Sequence, residues 1–287
     1  MMNRFRIEFC VRSNYSQDDF NSIEEVVLSA KNKNIKTLCL ADDYTINGFE
    51  EFERCCKSNN IFPLFGTTIN VCDGKIPSRV VLVAKNDLGI KELKTLLTLN
   101  KMQYLMKDII TICPNTFSIY LLDNVMDNIE KGISNFDYIG ITPEVSIQSF
   151  IGLKKYDLSK FIALSDSFYS DESKRENFEE QHGVKLRYYR GIRSSEQFHF
   201  FPQEYYEQFV FDNPEKVIRE NIKEKHIDSE ILNKLLQILN ENGEISVSYI
   251  QGNMSVGFVT ANSCINYLIK NNYISKESGK NGKYRKY

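Results

Sequence analysis

The sequence has no run of about 18 consecutive apolar residues, so nothing in its 287 residues reads as a membrane span. Its opening stretch, MMNRFRIEFCVRS, turns polar before an apolar core can form, which excludes a secretory signal and leaves a cytoplasmic protein as the expectation. No Gly-x-x-x-x-Gly-Lys-Ser/Thr loop occurs, so no ATP-driven motor is present. The seven cysteines show no repeated Cys-x-x-Cys spacing, and Cys55 and Cys56 are adjacent, which argues against a zinc ribbon and against a disulfide framework. They read instead as small buried hydrophobes.

What is present fits a soluble globular protein of two domains: 42% hydrophobic and 26% charged residues on a chain long enough for two cores. The net charge of -2 hides a split. From Ser229 onward seven basic residues (Lys234, Lys270, Lys276, Lys280, Lys283, Arg285, Lys286) face four acidic ones (Glu230, Glu241, Glu244, Glu277), leaving the tail near +3 and the rest near -5. Such asymmetry points to polyanion contact by the tail alone.

Over the first two thirds, strand and helix signals alternate. RFRIEFCV (4–11) alternates apolar and polar as a strand does, and SIEEVVLSAKN (22–32) opens with a cap and two glutamates before a helical apolar stripe. TLCLA (37–41), PLFGTTINV (63–71), a hairpin-like VVLVA (80–84), SIYLL (118–122), DYIGI (137–141) and FIALS (161–165) read as strands. Helices are predicted at 48–60, 88–100, 146–155 and 171–181. The pattern implies an α/β fold with a mainly parallel sheet, open or closed into a barrel, and a barrel is the preferred form. Tyr188-Tyr189 and Tyr205-Tyr206 read as buried or half-buried aromatics, with an interaction surface as the alternative.

The run from Tyr15 to Val71, then VLVAKNDLGIKELKTLLTL, and later ALSDSFY, closely resembles the PHP (polymerase-and-histidinol-phosphatase) domain of bacterial DNA polymerase III alpha subunits, over about residues 4–225. The resemblance implies a distorted seven-stranded (β/α)7 barrel over 1–200 and a connecting helical segment over 201–228. It also implies a cluster of His, Asp and Glu at the strand ends, holding divalent cations that polarise phosphate and activate water. Here Cys10-Val11-Arg12 stands where the family has His-x-His before Ser13-Asn14-Tyr15-Ser16. Ala41-Asp42-Asp43 replaces Thr-Asp-His, Thr68 replaces a glutamate, and Asp166-Ser167-Phe168 replaces Asp-x-His. None of the three histidines, His182, His199 and His226, falls at a mapped ligand position. Arg12 cannot deprotonate and would repel a divalent ion, so pairing with Asp42, Asp43 or Asp166 is expected in its place. The expectation is a degenerate site with no metal, no cofactor and no catalysis. A reduced metal site from Cys10, Asp42, Asp43 and Asp166 is the alternative.

Residues 229–287 read as a small α+β winged-helix domain. SEILNKLLQILNE (229–241) is a capped helix ended by Asn242-Gly243, a second helix is predicted near 247–253 and a third over 258–271. Basic segments around Asn281-Gly282 form a wing. The stretch from Ile245 to Tyr287 resembles the gamma domain of FtsK/SpoIIIE DNA translocases, although Ser255, Val259, Thr260 and Ser263 stand where that family's reading helix presents Arg and Asn. Candidate DNA contacts are Thr260, Asn262, Ser263, Asn266, Tyr267, Lys270, Lys276, Lys280, Lys283, Arg285 and Lys286. The combined expectation is a non-enzymatic DNA-binding protein of replication or of a mobile element, with duplex DNA and replisome proteins as partners. The alternatives are a residual metal-dependent phosphoesterase or exonuclease and a winged-helix repressor.

Overall fold

The computed structural model describes residues 5–16, 21–72, 77–122, 129–142, 155–185, 190–198, 201–222, 229–254, 256, 258–270, 273–275 and 282–286. It divides into two compact units, Met1–Asn221 and Ile222–Tyr287.

The first unit is built on strands β1 (Arg6–Val11), β2 (Ile35–Leu40), β3 (Phe62–Cys72), β4 (Pro77–Ala84), β5 (Tyr104–Leu105), β6 (Thr116–Leu122), β7 (Tyr138–Ile141) and β8 (Phe161–Ala163). They form one curled sheet in the order β1-β2-β3-β4-β6-β7-β8, with β5 added beside β3. All described pairings are parallel except those of β4, which runs antiparallel to both β3 and β6. The sheet is thus a curled, mixed half-barrel, consistent with the α/β, PHP-like barrel expected from the sequence, with β4 as the antiparallel departure from a regular (β/α)7 pattern. The hairpin between β3 and β4 reverses one strand because only four residues separate Cys72 from Pro77, too few for a parallel crossover. Gly66 sits on this hairpin, where a Cβ would meet the Leu82 carbonyl oxygen at 2.7 Å.

Between β1 and β8, a side chain joins the sheet. The Glu8 carboxylate accepts from the Ser165 amide at 3.0 Å and from the Cys10 amide at 3.1 Å, while a single bridge links Val11 to Ser167. The sheet curls far enough for a carboxylate to bind the edge amides that a neighbouring strand would otherwise satisfy.

Helices α1 (Ile23–Asn32), α2 (Phe49–Ser58), α3 (Asp87–Thr98), α4 (Met106–Ile112), α5 (Ile129–Asn135) and α6 (Arg175–His182) intersperse with these strands. The first is fixed by a capping box, in which the Ser22 hydroxyl accepts from the Glu25 amide and the Glu25 carboxylate accepts from the Ser22 amide. In α2, Phe49, Phe52 and Cys56 repeat at helical spacing and are the buried residues. The segment after residue 200, read from sequence as a connector, packs into the main core. Helix α7 (Gln203–Glu207), a π-helical turn (Gln208–Asp212) and α8 (Asn213–Asn221) follow one another, and Tyr205, Phe209, Val210 and Phe211 join Ile139, Ile141 and Phe161. Tyr205 is buried and Tyr206 half-buried; Tyr188-Tyr189 and the helix expected at 146–155 lie outside the described residues, apart from Lys155.

The second unit contains α9 (Ser229–Asn242), β9 (Glu244–Ser246), α10 (Val247–Met254), α11 (Phe258–Lys270) and β10 (Lys283–Arg285). Gly243, at φ 67°, ends α9 in the left-handed region that glycine enters without strain. Strand β10 pairs antiparallel with β9, and Ile274 bridges to Lys286. Leu235, Leu239, Ile245, Ile250, Ala261, Cys264, Ile265, Leu268 and Ile274 form its core, each large side chain contributing about 1.5–3 kcal/mol by burial. Among the described residues, no helix is long and apolar enough to cross a membrane.

Candidate active site

The parallel strands of the first unit deliver their chain ends to one edge of the sheet, the usual place for a ligand site in such folds. Arg12 follows β1, Asp42 and Asp43 follow β2, and Asp166 follows β8. Because β4 runs the other way, its first turns reach the same edge and add Arg79, while Arg190 arrives from the segment after α6.

Asp166 is the hub. Its carboxylate is fully buried and accepts from Arg12 Nη1 at 2.8 Å, from Arg79 Nη2 and Nη1 at 3.0 and 3.2 Å, and from Arg190 Nη1 at 2.5 Å. Burial alone would raise the Asp166 carboxyl, and the guanidinia of Arg79, Arg12 and Arg190 together overcome it, holding it well below the usual carboxylate range. Its backbone lies at φ 45°, a left-handed conformation that aspartate tolerates better than most residues.

Arg12 spans two carboxylates, donating from Nε to Asp43 at 3.1 Å as well as to Asp166; its buried Nη2 has no hydrogen-bond partner. Burial works against its charge, and Asp43 with Asp166 outweigh that cost and raise its pKa well above the ordinary arginine value. Phe168 presents its ring to both Arg12 and Arg190, with the guanidinium carbons 5.3 and 5.1 Å from the centroid. It stacks on Phe178, which in turn stacks on His182.

Asp42 is held differently. One carboxylate oxygen accepts from the Ser13 amide at 2.6 Å and the Ser16 hydroxyl at 2.8 Å, and the other accepts from the Ser13 hydroxyl at 2.8 Å. Burial dominates over these bonds and raises its pKa to about 6. Thr68 donates to the Ala41 carbonyl at 2.8 Å and is turned away from any carboxylate role. Cys10 lies 3.7 Å from an Asp166 oxygen, and burial pushes its thiol far above the usual range, so it does not supply a thiolate.

This donor set does not fit a divalent cation. Both Asp166 oxygens are taken by guanidinium donors and both Asp42 oxygens by Ser13 and Ser16. Among the described residues no three His, Cys, Asp or Glu side chains gather as a metal would require. His182 lies on α6 with Nδ1 2.9 Å from the Phe178 carbonyl oxygen, and His199 and His226 fall outside the described residues.

Cys10, Arg12, Asp42, Asp43, Thr68, Asp166 and Phe168 are thus brought to one edge. Sequence reasoning missed Arg79 and Arg190, and it gave no role to Ser13 and Ser16. The available signal was a lone arginine leading into the apolar run VVLVA, since a charge entering a buried strand requires a partner. In the second unit, Asn266 is exposed, Asn262 and Tyr267 are half-buried, and Lys283, Arg285 and Lys286 are exposed on or beside β10. Lys283 pairs with Glu244, and Lys286 donates to the Asn240 side chain at 2.6 Å. Thr260, Ser263 and Lys270 belong to α11, their side chains outside the described set; Lys276 and Lys280 lie outside the described residues altogether.

Residues 8–116 match the PHP domain family. The match covers 109 of the chain's 287 residues. The chain is 31% identical over 118 residues to the DNA polymerase III subunit alpha of Staphylococcus aureus strain Mu50, covering 40% of this chain and 11% of that protein. The strain COL protein is 39% identical over 83 residues, covering 29% of this chain and 8% of its own length. The matched stretch thus spans about a tenth of those relatives. Two solved structures show a partial likeness. A candidate metal-dependent phosphoesterase from Bifidobacterium adolescentis matches at TM-score 0.46 and 9% identity, over 67% of this chain and 98% of that one. An amidohydrolase from Chromobacterium violaceum, with bound sulfate and no metal, matches at TM-score 0.44 and 12% identity, over 62% and 84%.

The expectation of a non-enzymatic DNA-binding scaffold is corrected by the PHP match. That family carries phosphoester hydrolysis as its implied chemistry, and the strand-end cluster is an organised set of charged groups instead of an apolar plug. The pseudoenzyme reading is not supported by that match.

Proposed function

We propose that the chain is a hydrolase of phosphoesters whose active centre is the edge formed by Arg12, Asp43, Arg79, Asp166 and Arg190. The observation that carries this is the convergence of three guanidinia at the strand ends of a PHP domain, with one of them, Arg79, left 30% exposed. A guanidinium recognises two phosphate oxygens at once and stabilises the charge that builds on them as the phosphorus is attacked. Asp43 is also 30% exposed and is oriented by Arg12. It takes the proton from the attacking water while the bond from phosphorus to the leaving oxygen breaks. Arg12, Arg190 and Asp166 position these two groups.

The test is release of phosphate from an aryl phosphate and of nucleotides from DNA. Arg79→Ala and Asp43→Asn are expected to lower kcat/KM by about 10²-fold or more. Equal hydrolysis by wild type and both variants, or none by wild type on any phosphoester, overturns the assignment.

The likeness to polymerase III alpha subunits supports a replication setting. The second unit supports duplex DNA as the substrate's source. Its helix order, with β10 beside β9, suits a winged helix, and exposed Asn266, Arg285 and Lys286 with a basic tail suit phosphate contact. Salt-sensitive binding to random duplex that is weakened in Arg285→Glu and Lys286→Glu is the expected result. Binding unchanged by both variants removes the wing from the reading.

A further inference from the structure

The strand-end set counts three carboxylates and three guanidinia: Asp43 and Asp166 pair with Arg12, Arg79 and Arg190, and Asp42, hydrogen-bonded to Ser13 and Ser16, completes the charge balance. A divalent ion brought into this set would add two uncompensated charges to a buried, already neutral group, at a high cost in desolvation and repulsion. The cluster is also built around its cations. Asp166 binds all three guanidinia while fully buried, Arg12 reaches from Asp43 to Asp166, and Phe168 offers a ring face to Arg12 and Arg190. An apolar ring in place of an imidazole would be a loss at a metal site, and it is a gain where the cation is a guanidinium, whose flat face packs on aromatic carbon.

We infer that this site has exchanged the divalent cation of its fold family for the chain's own guanidinium groups, with Arg12 as the central replacement and Asp166 and Phe168 as its lock. The inference deepens the phosphoester reading, on which it rests for the use made of the charge: the positive field for a phosphoryl group is supplied without a metal.

Three measurements on the full chain test it. After purification and dialysis, metal content by mass spectrometry is expected to be far below one ion per chain. The melting temperature is expected to be unchanged by EDTA or by Mn2+ or Zn2+, and any phosphoester hydrolysis is expected to persist in EDTA. A retained stoichiometric ion, or a saturable rise in melting temperature with either cation, overturns the exchange even if hydrolysis is observed. Hydrolysis absent under every condition, with no metal taken up, defeats the phosphoester reading and leaves the exchange standing.

Arg12→Gln gives the reverse test, because removing one positive charge leaves the set one charge negative. Mn2+ is then expected to raise the melting temperature of the variant and not of the wild type. Arg79→Gln, at a more exposed position, makes the same test should Arg12→Gln fail to fold. Wild type and a folded variant that are equally indifferent to the cation would show that the guanidinium does not stand in for a metal, and the inference falls.

Discussion

Strand β1 carries an arginine near each end, and the two are used in opposite ways. Arg6 is buried, donates to the Arg193 carbonyl at 2.5 Å, to the Ser165 hydroxyl at 3.3 Å and to Glu8, and lies over the Phe198 ring at 4.4 Å. Glu8 is fully buried and joins the two sides of the sheet through the Ser165 and Cys10 amides. Just past the other end, Arg12 meets carboxylates and an aromatic ring in the same way, but Asp43 and Arg79 at the margin of that cluster are each 30% exposed. The chemistry is the same; the difference is access. A buried network with every charge facing another protein group fixes geometry, and only the cluster with an edge in water can meet a substrate.

Breaking the hub of the open cluster is expected to have the largest effect. Asp166→Asn leaves three guanidinia around a neutral amide, and chemical denaturation is expected to show a loss of at least about 3–5 kcal/mol. A loss below about 1 kcal/mol would mean that the arginines find other partners and that the hub is dispensable. Glu8→Gln strands one cation in place of three and is expected to cost about 3–5 kcal/mol, no more than the hub. If it costs clearly more, the closed network is the main structural element and the ranking of the two ends reverses.

The pH dependence separates Asp42 from the guanidinium pairs. Its folded pKa of about 6 lies above the ordinary 3.8, so the folded protein holds its proton more tightly than the unfolded chain. That contribution is fully present below about pH 4 and is lost as pH rises to about 6, by at most about 3 kcal/mol. Asp42→Asn is expected to flatten the stability profile across this window, and an unchanged slope would assign it to another group. Asp166, depressed by its arginines, works with the opposite sign: its contribution is held at neutral pH and lost only as pH falls below the usual carboxylate range.

The smallest stability effect is expected from Arg79→Ala, about 1 kcal/mol, because its side chain is partly in water and two other guanidinia still hold Asp166. The same substitution is expected to lower hydrolysis by about 10²-fold or more. A variant that is destabilised by several kcal/mol and retains full hydrolysis would erase the distinction between the two ends of β1.

The alternation in RFRIEFCV announced a strand, and the capping pattern SIEE announced a helix, because both signals are local: a period of two for the pleat, a hydroxyl and a carboxylate three residues apart for the cap. The short helices α4 and α5, seven residues each, left no comparable periodic signal and were missed. Arg12, Asp42, Asp43 and Asp166 were legible as members of one site because the spacing of the PHP motifs marks strand ends. The sequence by itself therefore determined the longer elements, the positions that depart from the PHP ligand pattern, and the charge split between residues 1–228 and 229–287. Tertiary structure alone decided that both faces of β1 are buried, Arg6, Glu8 and Cys10 as well as Ile7, Phe9 and Val11. Alternation fixes two faces and does not say that both will be covered. Only the fold could bring Arg79 and Arg190 to Asp166, across 87 and 24 residues of chain, because charge pairing depends on distance in space and the antiparallel turn of β4 sets that distance.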